Sequence, residues 1–441
     1  MATLCSYHGM IVSKYFKTIR DFIRLEFVCK KYYCNMEKFH YNPIPLNSKT
    51  LFNFSHIETL HLFDVEDETF GNDIVGIVQN IKRCILLVEK SFYEITVWFN
   101  VDYTTVVLNK NKNFLFKNVT YTKNDREKFG TTISHYVRSI GDHCFENCKY
   151  MSSVEIPSCV TSIGEYCFSE CKNINTVTIP CNVTTLNDYC FYRCKKLSTI
   201  NLPLHILSIG NCCFEKCKHL SSVTIPLHVT SFGVSSFCEC STLSHLDIPA
   251  SVLSIGNFCF FACCSLSDVN IPSSVTSIGH NCFNCCINLT SVTVSAQIKS
   301  LEHDCFFKCS NLNTIILPKS ITSIGERCFW RCKNLSTIQI PSSVQIIGDH
   351  CFHKCYNLKD ITLHHNVKTV GNCCYYNCIN LSTVVIQSNV KFGNDCFFGC
   401  TNLINVKTIK RGTSLGQIPF SSKTIHHDKM NKKDHKKCSF V

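Results

Sequence analysis

From about Ser139 to Leu403 apolar and polar positions repeat every 23 residues. In one such unit Leu335, Ile338 and Ile340 are separated by polar residues, and Thr337 to Ile340 alternates with the two-residue period of a half-buried strand. Pro341 predicts the end of that strand, since proline cannot donate to a ladder. Its equivalents are Pro157, Pro180, Pro203, Pro226, Pro249, Pro272 and Pro318. Val344 and Ile347 turn inward again, and Gly348 predicts a bend. Cys351, Phe352 and Cys355 follow, and the i, i+4 spacing of the thiols predicts a short helix over 349–356.

The glycines make the period explicit. Gly141, Gly164, Gly210, Gly233, Gly256, Gly279, Gly325, Gly348 and Gly371 fall on one 23-residue grid, Asn187 and Glu302 fill its gaps, and Gly393 arrives one residue early. Twelve units follow from that grid. One strand and one short helix per unit predicts an α/β leucine-rich-repeat solenoid over residues 131–406. A single unit cannot bury its own apolar face, but stacked units share a core. At the usual strand spacing the stack is a curved rod on the order of 55 Å long, with no pocket by construction.

The pattern Ile-Gly, then Cys-Phe, Cys, Leu and Ile-Pro at fixed offsets resembles the BspA-like (Treponema-type) leucine-rich repeats of bacteria and protists. Ile278, Gly279, Cys282, Phe283, Cys286 and Leu289 carry it in one unit. That resemblance implies the repeat fold, surface association, and adhesion or protein binding rather than an enzymatic activity. It also implies that the column of Cys144, Cys167 and Cys190 is more often alanine, while that of Cys148, Cys171 and Cys194 is often cysteine.

The chain has 35 cysteines in 441 residues. The third position after the grid glycine is cysteine in every unit except the one with Ser236, and the seventh is cysteine in every unit, from Cys148 to Cys400. Disulfides or structural zinc would be the functional reading. The replacement by Ser236 favours a small, polarisable side chain filling a tight interior column. Cys212, Cys238, Cys264, Cys285 and Cys373 lie off these columns and are read as scattered substitutions.

The outward strand row is small and polar: Ser153, Thr176, Thr199, Ser222, Ser291, Thr314, Thr337 and Thr383. Glu155, His245, Asp247, Asp268, Asp360 and Lys407 interrupt it. His245, Asp247 and Asp268 are expected to form a small acidic patch, and Glu155, His245, Asp247, Asp268 and Asp360 are the candidate binding row. No nucleophile–base pair, metal-ligand spacing or phosphate-binding glycine loop stands out, so no catalytic residue, metal or cofactor is expected.

Residues 1–130 lack the repeat and are expected to form an α+β cap over the first unit's open edge. Helical spacing of Ile11, Tyr15, Ile19, Phe22, Ile23 and Phe27 predicts two helices over about 10–40. Strands are expected at Thr59–Phe63, Glu94–Val101 and Thr104–Leu108. The run Asp21 to Tyr32 resembles the second half of an F-box, without the Leu-Pro that usually opens one. That resemblance implies a ubiquitin-ligase scaffold as partner, with the repeats as substrate receptor.

Charge changes the picture only at the other end. The net charge is +12, and residues 407–441 alone hold nine basic against two acidic side chains. Lys429, Lys432, Lys433, Lys436 and Lys437 precede Cys438-Ser439-Phe440-Val441, whose thiol stands where a C-a-a-X box is prenylated. One lipid chain with a polybasic patch is a sufficient membrane anchor. No apolar run long enough to span a bilayer and no secretory leader are read in the sequence. The expectation is a non-enzymatic, adhesion-type protein-binding scaffold, synthesised in the cytosol and held at the plasma membrane or cell periphery, with no nucleic-acid partner.

Overall fold

The computed structural model describes residues 6–77, 88–387 and 389–408, which divide between two compact units, Met1–Ser265 and Leu266–Val441. Both are built of parallel β-solenoid turns of the leucine-rich-repeat type. About fourteen turns of about 23 residues are present, where the glycine grid predicts twelve. The excess lies in the segment expected to be only a cap.

In the first unit α1 (Ser6–Ser13) and α2 (Ile19–Val28) are followed by single helical turns at Lys30–Tyr32 and Met36–Lys38. The backbone N–H and hydroxyl of Thr18 both donate to the Asp21 carboxylate, at 3.1 and 2.8 Å, which fixes the start of α2. Phe22 is fully buried among Phe16, Phe39 and Phe54, with ring centroids 5.1–5.9 Å away.

Strand β1 (Thr59–Leu62), β2 (Glu94–Asp102) and β3 (Phe114–Tyr121) then pair in parallel. The same ladder runs on through β4 (Ser139–Ile140) and β5 (Ser162–Ile163), with Thr120 opposite Ser139 and Ser139 opposite Ser162. These first turns bury apolar residues as the later ones do but lack the Cys-Phe signature, so the grid misses them. Thr104–Leu108 is not a strand. Tyr103–Leu108 forms α3, because Asp102 accepts from the Thr105 N–H at 2.8 Å and Asp125 takes the Thr104 N–H and hydroxyl at 2.8 and 2.6 Å. Capping overrides the β-preference of the branched side chains.

The expected helix after each grid glycine is also absent. In the 349–356 segment His350 and Lys354 have φ of 55° and 61°, in the left-handed region. Alternate amides leave the segment: those of His350, Phe352 and Lys354 donate to carbonyls of the next turn, each at 2.8 Å. The amides of His353 and Cys355 reach back three residues, both at 3.1 Å. A helix would consume all of these donors internally. Ladder bonds between turns win, and tight turns with two left-handed residues replace the helix.

This packing also explains the glycines. A Cβ on Gly348 would stand 2.6 Å from the Glu326 nitrogen and 2.7 Å from the Gly325 carbonyl carbon of the preceding turn. Close approach of backbones, rather than a special φ, excludes the side chain there.

The interior consists of stacked columns. Phe145, Phe168, Phe191, Phe214, Phe237 and Phe260 lie face to face at 5.3–5.6 Å in the first unit. Phe283, Phe306, Phe329, Phe352, Tyr375 and Phe397 repeat the column in the second. The cysteine columns flank them. Cys171 donates its S–H to the Phe145 carbonyl of the turn before, at 3.0 Å, and Cys194, Cys217 and Cys332 do the same to Phe168, Phe191 and Phe306 at 3.1 Å. The seventh-position cysteine is therefore a small core residue that also satisfies a buried carbonyl. At the third position Ser236 substitutes, its hydroxyl 3.2 Å from the Cys259 sulfur.

Candidate interaction surface

Strand alternation places the candidate row. Around Thr176–Thr178 and Thr199–Asn201 the middle residue is buried and its neighbours face out, with Thr176 opposite Thr199. In the second unit Asp268 lies opposite Ser291 and Ser291 opposite Thr314, while Asp360 leads the ladder Asp360, Thr383, Asn405. These outward side chains are short hydroxyls with few charges.

Of the candidate charged residues the structure brings together His245 and Asp247, 3.2 Å apart and both exposed. Glu155 is exposed in the same unit. Asp268 and Asp360 belong to the second unit, where Asp268 accepts from the Ser267 hydroxyl at 2.6 Å. Lys429, Lys432, Lys433, Lys436, Lys437 and Cys438 lie outside the described residues.

Two open clefts were not expected. One, of about 520 Å³, is lined by Asn313, Asn334, Ser336, Asn357, Lys359 and Asn380. Asn334, Asn357 and Asn380 precede the repeat leucine while Asn313 follows it, and an amide ladder runs on from the cleft, with Asn380 donating to Asn357 and Asn402 to Asn380 at 3.4 Å. The recurring Asn-Leu pair was the available sequence signal. The other, of about 340 Å³, lies over Ile179, Cys181, Leu202, Pro203 and Leu204 in the first unit.

The chemistry of the thiols is not the same throughout the two columns. Burial pushes the Cys144, Cys259 and Cys305 thiols up to about 12. Cys148, half-buried at the head of its column, is held below the ordinary thiol range by contact with the Cys171 thiol and, against burial, by the Arg126 guanidinium. Because the Cys171 S–H is engaged by the Phe145 carbonyl, the decisive contact is Arg126 Nη1, 2.9 Å from the Cys148 sulfur. Among the described residues the cysteines are free thiols and no group of three or more His, Cys, Asp or Glu converges on one point. None of the described helices is long and apolar enough to cross a membrane.

Comparison with known proteins follows the same lines. The model of the BspA-type leucine-rich repeat region matches residues 113–244, 233–357 and 322–436, well over half the chain. Among solved structures, a leucine-rich repeat protein from Bacteroides ovatus is 25% identical over 61% of this chain and 82% of its own, with a TM-score of 0.44. A leucine-rich cell surface protein from Faecalibacterium prausnitzii is 25% identical over 67% and 88%, with a TM-score of 0.42. The T. pallidum leucine-rich repeat protein is 26% identical over 42% and 77%, with a TM-score of 0.35. No curated protein matches the chain.

Proposed function

Since the chain belongs to the BspA-type leucine-rich-repeat family, we propose that it is a non-enzymatic, adhesion-type scaffold that binds a protein partner and is held at the plasma membrane or cell periphery by a prenylated basic tail. The observation that carries the binding part is the outward row on parallel strands, at Thr176 and Thr199 and again at Asp268, Ser291 and Thr314. Such a row offers hydroxyl donors and acceptors at regular spacing, with His245, Asp247 and Asp360 as its charged punctuation. Extended repeat surfaces of this kind engage partners by many modest contacts rather than one pocket.

The anchoring part rests on Cys438 and on Lys429, Lys432, Lys433, Lys436 and Lys437. In this reading the chain is of protist type. Fractionation of cells expressing the wild type and Cys438→Ser tests it. A membrane fraction lost in the variant supports the anchor, and equal membrane association refutes it. For the binding row, Asp247→Lys and Asp360→Lys in the full chain should lower recovery of a cross-linked protein partner.

A second reading has one observation in its favour. In the F-box-like stretch Ile23, Phe27 and Val28 of α2 are exposed, as is Tyr33 beyond it, a surface suited to a helical ligase scaffold. Affinity purification of the full chain against Phe27→Asp decides: a scaffold recovered with neither protein removes this reading.

A further inference from the structure

On successive turns of the second unit the residue before the repeat leucine is asparagine: Asn288, Asn311, Asn334, Asn357, Asn380 and Asn402. The turn itself does not demand this. The same column of the first unit reads Tyr150, Asn173, Lys196, His219, Thr242 and Ser265.

Backbone hydrogen bonding explains why these side chains are spare. In the first unit the Asn173 side chain donates to the Lys149 carbonyl of the preceding turn, at 2.6 Å. In the second unit the backbone takes that acceptor. The N–H groups of Asn334, Asn357 and Asn380 donate to the Ser310, Lys333 and Tyr356 carbonyls at 3.1, 3.1 and 3.3 Å. Their side-chain amides are left to pair with one another or with something else. Asn311 donates to Asn288 at 3.2 Å, and the ladder resumes from Asn357 through Asn380 to Asn402 at 3.4 Å. It is interrupted at Asn334, whose side chain bonds neither to Asn311 nor to Asn357 among the described residues.

That interruption lies in the cleft of about 520 Å³ lined by Asn313, Asn334, Ser336, Asn357, Lys359 and Asn380. Asn334 presents both Nδ2 and Oδ1. Asn357 keeps its Nδ2, since its Oδ1 already accepts from Asn380. Asn313 keeps its Nδ2 likewise, as its Oδ1 takes the Ser336 hydroxyl at 3.0 Å. Lys359 is exposed and adds the cleft's one ammonium. Donors therefore outnumber free acceptors, and among the described residues neither a carboxylate nor an apolar side chain lines the walls.

This chemistry selects a ligand. An apolar molecule would bury nothing apolar here, and a phosphate would meet a single cation. An extended peptide presents its same-side groups about every 6.7 Å, out of step with turns about 4.8 Å apart. Pyranose rings in an extended β-linked glycan advance by nearly the turn spacing. An acetamido substituent, with one N–H and one carbonyl, is the complement of a side-chain amide. The lining residues come from successive turns that together span about 14 Å, room for a trisaccharide.

We propose that the amide-lined cleft of the second unit, centred on Asn334 and Asn357 beside Lys359, binds an extended, N-acetylated, β-linked glycan. Asn334 donates to the acetamido carbonyl of one ring and accepts from its N–H. Asn357 and Lys359 donate to oxygens of the next ring. The proposal goes beyond the protein-partner reading above and depends on neither the strand row nor the tail.

The test titrates the full chain with N,N′,N″-triacetylchitotriose in a calorimeter, with cellotriose as the same backbone lacking acetamido groups. Saturable binding of the acetylated sugar is expected, several-fold tighter than that of cellotriose. It should weaken on the order of ten-fold in Asn334→Ala, which loses a donor and an acceptor, and about five-fold in Asn357→Ala. Asn288→Ala, in the same column but outside the cleft, should leave it unchanged. Circular dichroism checks folding, and Asn334→Asp, which keeps the shape and removes the donor, serves if Asn334→Ala unfolds. No saturable binding, equal binding of cellotriose, undiminished affinity in the Asn334 variants, or tighter capture of a capped tetra-alanine peptide would overturn the proposal.

Discussion

His353 gives the sharpest physical prediction. Its ring lies between Trp330, 4.0 Å away and nearly parallel, and Tyr376 at 4.8 Å, with 7% of the residue exposed. Its Nδ1 has no hydrogen-bond partner among the described residues. Burial first, then the charges of Lys354, His350 and Arg331, lower its pKa from 6.5 to about 3. The unfolded chain therefore takes up a proton below about pH 6.5 that the folded chain refuses until about pH 3. Stability falls by about 1.4 kcal/mol for each pH unit in that window, or about 2 kcal/mol by pH 5. His353→Phe keeps an aromatic ring in the stack and removes the titration, so its stability should lack this slope. The chain has two tryptophans, and a Trp98→Phe background leaves Trp330 as a local reporter. That matters because repeat arrays need not unfold in one step. Urea unfolding followed by Trp330 fluorescence at pH 7 and 5 makes the comparison, and other titrations cancel between variants. Equal losses in both proteins would refute the argument.

Other consequences follow from packing and from the one perturbed thiolate. Gly348→Ala should cost about 3 kcal/mol because backbone, not side chain, must yield. Gly141→Ala should cost about 1 kcal/mol or less, since its Cβ meets only the Thr120 Cγ2 as closely as 3.3 Å. Equal shifts in thermal unfolding would contradict the close-approach explanation. For Cys148, alkylation mapped by mass spectrometry should rise at lower pH than for an ordinary thiol, while buried Cys144 stays unlabelled. Arg126→Gln should move that profile upward by more than one pH unit. An unshifted profile would remove Arg126 as the cause.

The sequence made the columns legible because each has one geometric role repeated many times. Glycine, Cys-Phe, leucine and proline positions all fall where the turns require them. It misled where a local rule competed with a ladder. The i, i+4 cysteines of Cys351 and Cys355 obey helical spacing, yet amides at His350, Phe352 and Lys354 are claimed by the next turn. Thr104–Leu108 has strand composition, yet two aspartates cap it as α3. The first turns were hidden because β1, β2 and β3 join the ladder without its signature. On the candidate surface His245 and Asp247 pair, whereas Asp268, the third residue of the expected patch, belongs to the second unit, and the amide-lined cleft arises only when turns bearing the recurring Asn-Leu pair stack.

That contrast tells which residues of a repeat can carry function. A residue that recurs at every turn, such as the seventh-position cysteine, is accounted for by what every turn needs: a small thiol that reaches the preceding phenylalanine carbonyl. A residue that departs from its column must be explained by something only that turn meets. Cys148 meets Arg126 in place of a carbonyl, and its acidity changes accordingly. The cysteines that dominate the composition thus explain the architecture, while the specific chemistry lies in the few positions where the repeat breaks its own rule.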